Sequence, residues 1–173
     1  MPLGADYPGQ DCSIARSLEV VGERWTLLIL RDAFHGLTRF DEFQRSLGVA
    51  SNILSVRLNK LVDLGILQTD DTDAVGRRRG YHLTEKGAAL NGVLIEMMQW
   101  GDRFEPSSSG PTTIMVHDEC GRAVSAEHRC SCCGGIIAPE NTHLAPAPQL
   151  RGPDGRPLSR TLPQLAAWGP ASE

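Results

Sequence analysis

Two short segments of this 173-residue chain carry residue pairs suited to binding a metal ion, His117-Asp-Glu-Cys120 and Cys130-Ser-Cys132-Cys133. In each, the outer two donors stand three positions apart, close enough to close on one ion. One histidine with three cysteines suits tetrahedral zinc. The expected ligand set is therefore His117, Cys120, Cys130 and Cys133, with Cys132 left over or competing. Such an ion would stabilise a segment whose only sizeable apolar groups are Ile114, Met115, Val116, Val124, Ile136 and Ile137. The same thiols could instead be buried without metal, or Cys120 could pair with Cys130 or Cys133 after oxidation. A four-ligand ion leaves no open position for a substrate water, which weighs against a zinc hydrolase or deaminase. The five histidines have no Ser or Cys nucleophile context, and neither a Gly-rich phosphate loop nor a dinucleotide fingerprint is present. The expectation is a non-enzyme that requires no cofactor, with a structural zinc as the one candidate.

The second chemistry is electrostatic. Arg77, Arg78 and Arg79 are consecutive, and three adjacent guanidinium groups repel one another without stabilising a fold. Phosphates or a narrow minor groove would use all three. The formal net charge of −4 does not exclude nucleic acid, because binding depends on where positive charge clusters and not on its average.

The elements that must position these arginines follow from periodicity. Ile14, Leu18 and Val21, then Trp25, Leu28 and Ile29, recur at helical spacing and are interrupted at Gly22, which predicts two helices. Gly36 breaks the pattern, Thr38-Arg39-Phe40 forms a short extended bridge, and Phe40, Phe43 and Leu47 mark a third helix ending at Gly48. Ser51 is the expected cap of a fourth, with Leu54, Leu58, Leu61 and Gly65 on one face. At about 100° per residue, Asn52, Val56 and Asn59 then lie opposite that face, flanked by Ser55 and Lys60. Asparagine pairs bidentately with adenine, serine and lysine reach bases or phosphates, and valine touches a thymine methyl. Arg57 lies nearer the buried edge, where a phosphate contact or a structural ion pair suits it better than base readout. Ile66–Thr69 and Tyr81–Thr84 read as the arms of a β-hairpin with the arginines at its tip. From Thr84, a capping residue, one long helix is expected through Leu90, Val93, Leu94, Met97, Met98, Trp100 and Phe104. Its apolar face is too rich for a solitary surface helix, so a second copy of the chain is expected to cover it.

A short helix, a glycine turn, a second helix and a basic hairpin, in that order, make a winged helix-turn-helix. The residues that fill it resemble a known family: Cys12 through Trp25 to Arg31-Asp32, then Gly36, Arg39-Phe40, Phe43, Leu47-Gly48-Val49, Leu54-Ser55, Arg57-Leu58, Leu61, Gly65 and Tyr81-His82-Leu83-Thr84. This series is similar to the HxlR-type branch of the MarR-like winged-helix regulators and spans residues 12 to 104. The resemblance implies a homodimer built from the first and last helices, a wing that contacts DNA, and control of a nearby promoter. It also marks Cys12 as a redox-sensing candidate, because some relatives sense electrophiles or oxidants through a cysteine near the start of the first helix. The wing departs from the pattern: Val75-Gly-Arg-Arg-Arg-Gly80 replaces a stretch that commonly contains proline.

The expected fold class is mainly α, a winged helix-turn-helix domain with a β-hairpin wing, plus a small β-rich, zinc-ribbon-like appendage at the C-terminal end. Residues 1–11 form an arm, 12–105 the DNA-binding and dimerisation domain, 106–112 (PSSSGPT, with Pro106 to Thr112) a linker, 113–144 the Cys-rich appendage, and 145–173 a Pro-rich, poorly ordered tail. No apolar run approaches the roughly 20 residues of a membrane span, and the first ten residues lack the features of a secretory signal, so a cytoplasmic protein is expected. The expected function is sequence-specific binding of double-stranded promoter DNA as a homodimer, responsive to a small-molecule effector or to redox state. The expected DNA contacts are Arg39, Ser51, Asn52, Ser55, Val56, Arg57, Asn59, Lys60, Arg77, Arg78 and Arg79. The alternative is a protein-interaction module on a degenerate winged helix with a structural Cys-rich tail.

Overall fold

The computed structural model describes residues 7, 9–10, 12–70, 80–111, 113–124, 127–142 and 144. The described residues form two compact units, one to Ala126, which holds six helices and four strands, and one from Glu127. In the first unit α1 (Ser13–Val21) and α2 (Thr26–Phe34) are separate, as the break at Gly22 predicts. They are followed by α3 (Phe40–Leu47) and α4 (Ser51–Asp63). The turn between α3 and α4 is made by Gly48 at φ +62°, a left-handed conformation that side chains other than glycine adopt only at a cost.

Strands β1 (Leu67–Thr69) and β2 (Tyr81–Leu83) pair antiparallel, with Leu67 opposite Leu83 and Thr69 opposite Tyr81. Their connection, residues 71–79 with Arg77, Arg78 and Arg79, lies outside the described residues. The core is a continuous cluster of Ile29, Leu30, Phe43, Leu54, Leu58, Leu61, Ile66, Leu67, Tyr81 and Leu94. The Phe43 ring meets Tyr81 edge-on, with centroids 6.4 Å apart, and this joins α3 to the hairpin.

The single long helix expected from Thr84 is two: α5 (Glu85–Ala88) and α6 (Asn91–Phe104). Thr84 does cap, accepting the Gly87 N–H at 3.1 Å, but its hydroxyl also donates to the Gly65 carbonyl at 2.7 Å. Lys86 Nζ reaches the Leu64 carbonyl at 2.8 Å. This pins α5 to the corner between α4 and β1, and the chain tightens at Leu90, whose N–H donates to Gly87, before α6 resumes and sends Leu94 into the core.

The first unit also extends past the expected linker. Strands β3 (Val116–His117) and β4 (Arg122–Ala123) form a second hairpin. Gln99 of α6 donates to the Val124 carbonyl at 3.4 Å, and residues 113–115 line small clefts with α6. The first compact unit therefore runs on to Ala126, past the linker expected at 106–112. In the second unit, Arg129 and Ile136 pair as an isolated antiparallel bridge, and Pro139–Asn141 make a 3-10 turn. The expected arm at 1–11 is described only in part, and the Pro-rich tail at 145–173 lies outside the described residues.

Candidate nucleic-acid interface

The side of α4 that the core does not use is the candidate reading surface. Leu54, Leu58 and Leu61 are sealed inside, so the helical repeat turns Asn52, Val56 and Asn59 to solvent, with Ser51 beside them and Ser55 and Lys60 half-buried at the flanks. Two amide side chains and an exposed apolar Val56 on one face match what base edges and a thymine methyl offer. Ile53, 44% exposed, joins this surface. The sequence reading did not single it out, although its place outside the Leu54, Leu58, Leu61 stripe is the signal for it.

Ser51 is not the cap. Ala50 takes that position with extended backbone and no side-chain hydrogen bond, and Ser51 is the first helical residue. Gly48 has already turned the chain, so two residues suffice to start α4. The first-turn N–H groups of α4 are thus not engaged by a capping side chain, the arrangement that suits a phosphate.

Arg57, expected among the DNA contacts, turns inward. Its side chain is 12% exposed and forms a close ion pair with Glu23, in the turn between α1 and α2. That pair ties α4 to the turn between α1 and α2, the structural ion pair that a place near the buried edge suits. Arg39 sits at the start of α3, bridges to Gly80, and places Nη1 3.9 Å from Asp70 Oδ2, while Asp70 Oδ1 lies 2.7 Å from His82 Nε2. This polar group at the root of the hairpin, which the sequence reading missed, ties the hairpin to α3. Glu42 secures the same corner: its carboxylate accepts the N–H groups of Arg39 at 2.8 Å and Thr38 at 2.9 Å. Those two bonds, Arg39 first, hold the Glu42 carboxyl below the usual glutamate value.

Cys12 is exposed and caps α1, with Sγ accepting the Ala15 N–H at 3.3 Å. In the first unit, His117 Nδ1 and Cys120 Sγ are 3.4 Å apart. In the second, Cys130 Sγ accepts the N–H groups of Cys133 and Cys132 and interacts with the Cys133 thiol, which together hold the Cys130 thiol below the usual cysteine value. Cys132 and Cys133 are exposed. Among the described residues no group of three or more His, Cys, Asp or Glu side chains is gathered in one place, and no helix is long and apolar enough to cross a membrane.

Comparison with known proteins adds independent weight to the α3–α4 reading. The HxlR-like helix-turn-helix family matches residues 20–109. An uncharacterized HTH-type transcriptional regulator of Mycobacterium tuberculosis (strain CDC 1551 / Oshkosh) is 41% identical over 80% of this chain and 88% of its own length. Among solved structures, PA1607, a candidate transcription factor, superposes with a TM-score of 0.71 at 38% identity, covering 79% of this chain and 96% of that one. The redox regulator HypR in its reduced form gives a TM-score of 0.51 at 26% identity, over 54% of this chain and 94% of that one.

Proposed function

This chain belongs to the HxlR-like helix-turn-helix family and is a transcriptional regulator, not an enzyme; from that premise we propose that it works in the cytoplasm as a homodimer occupying a promoter operator. The observation that carries the proposal is α4 itself. Its apolar stripe is fully buried while Asn52, Val56 and Asn59 face outward, the arrangement a major-groove helix needs. Ser51, Ser55 and Lys60 border it, and Arg39 stands beside the hairpin root.

The arginine wing supplies the phosphate contacts in this reading. Replacing Arg77, Arg78 and Arg79 with glutamine flattens the slope of log K against log salt by up to about three times 0.9, as anisotropy titrations over a salt series will read. An unchanged slope would remove the wing from the mechanism.

The dimer rests on exposed apolar surface. Ile14 and Leu18 on α1, and Val93, Met97, Trp100 and Phe104 on α6, all lie open to solvent, and α6 presents its four at i, i+4, i+7 and i+11, a continuous stripe. Light scattering at micromolar concentration is expected to give a dimer mass, and the Trp100→Ser, Phe104→Ser double variant a monomer mass. A wild-type monomer would refute the assembly.

Occupancy of the operator is proposed to respond to a small-molecule effector or to redox state. The likeness to HypR and the exposed Cys12 thiol at the head of α1 support the redox form. Cys12→Ser is expected to abolish an oxidant-induced loss of DNA binding while leaving the reduced affinity nearly intact; a surviving response would place the sensor elsewhere.

A further inference from the structure

Two turns near the C-terminal end share one backbone design. The first, His117-x-x-Cys120-Gly121, closes the β3–β4 hairpin: Gly121 has φ +65° and its N–H donates to the His117 carbonyl at 2.8 Å. The second, Cys130-x-x-Cys133-Gly134, repeats it within the second unit: Gly134 has φ +72° and its N–H donates to the Cys130 carbonyl, also at 2.8 Å. A residue at such φ immediately after the second donor favours glycine, and both turns have it. The second turn is further secured by Cys130 N–H donating to the Gly135 carbonyl at 2.8 Å and by Arg129 Nη1 donating to the Gly134 carbonyl at 3.1 Å.

The sulfurs of the second turn are already arranged. Gly134 N–H on the Cys130 carbonyl and Cys130 N–H on the Gly135 carbonyl hold Cys130 and Cys133 in one closed turn. A backbone that closes the donors into one turn spends no folding free energy to bring them together when an ion arrives. Sulfur donors select a soft or borderline ion over magnesium or calcium.

We propose that the Cys130–Cys133 turn is a preformed half-site that chelates one zinc ion through both sulfurs. Binding forms two Zn–S bonds near 2.3 Å and releases the two thiol protons to solvent. Cys132 lies inside the turn, between the paired donors, and is not a ligand. This proposal does not depend on the promoter reading.

The test uses the full chain purified without chelator. Elemental analysis is expected to find about one zinc per chain in the wild type and in Cys132→Ser, and little in Cys130→Ser, Cys133→Ser or their double variant. Cobalt exchange into the wild type needs no substitution and is expected to show sulfur-to-cobalt charge transfer. Zinc far below one per chain, a Cys130–Cys133 disulfide in its place, zinc retained in the double variant, or no charge-transfer band would overturn the half-site.

Discussion

Replacing Asn52 and Asn59 with alanine is expected to weaken binding to the preferred operator by on the order of 1–3 kcal/mol for each lost bidentate contact, and to leave binding to random duplex nearly unchanged. At about 1.4 kcal/mol per tenfold, one such contact is worth roughly 5- to 150-fold in affinity. Both side chains are exposed on α4 and belong to no part of the buried cluster. Alanine is also the better helix former, so a loss of operator affinity reports readout and not a weakened helix. Circular dichroism of the variant should match the wild type. Equal weakening on operator and random DNA would show that these positions touch only backbone. A parallel Arg57→Gln substitution is expected to behave differently, loosening the tie to Glu23 and lowering affinity on both DNAs together.

The second large effect concerns stability. Phe43 is fully buried, and its ring meets Tyr81 of the hairpin while its own helix packs beside α2. Phe43→Ala removes that volume where three elements meet, and the surrounding backbone, held by the Glu42 bonds and the Arg39–Gly80 bridge, has little freedom to collapse into the space. A loss of about 3–5 kcal/mol is expected in urea unfolding, a large part of the 5–15 kcal/mol that holds a typical domain. Phe43→Leu, which retains most of the volume, should lose markedly less. A loss under about 1 kcal/mol for the alanine variant would mean that α3 is not seated as described.

Much of the first unit was legible in the sequence because one physical signal dominated each element. The Leu54, Leu58, Leu61 stripe identified the buried face of α4 and hence its outward residues. Glycines at 22 and 48 marked real breaks, and Thr84 marked a real cap. What failed to show was carried by contacts distant in sequence. The apolar pattern runs unbroken through Ala89 and Leu90, so nothing local announced that Thr84 and Lys86 would anchor α5 to carbonyls of Gly65 and Leu64. The helical repeat already put Arg57 near the buried edge, but its partner Glu23, some thirty positions upstream, is nothing that periodicity encodes. The Pro/Ser/Gly composition of 106–112 resembles a linker, yet the chain beyond it returns to α6 through Gln99 and Val124. Ser51 lost the cap because Gly48 had already made the turn. The spacing of the donor pairs at 117 and 120 and at 130 and 133 was readable, whereas the turn geometry that each pair shares was visible only in the backbone.

Anisotropy titration of the full chain on a labelled duplex from the region upstream of its own gene, against a random duplex of equal length and at two salt concentrations, tests the central claim most directly. The account predicts a dimer that binds one segment of that region at least about a thousandfold more tightly than random DNA, with both affinities falling as salt rises. Equal affinity for the two duplexes at every salt concentration, or no measurable binding to either, would contradict it and favour a protein-interaction role for the winged helix.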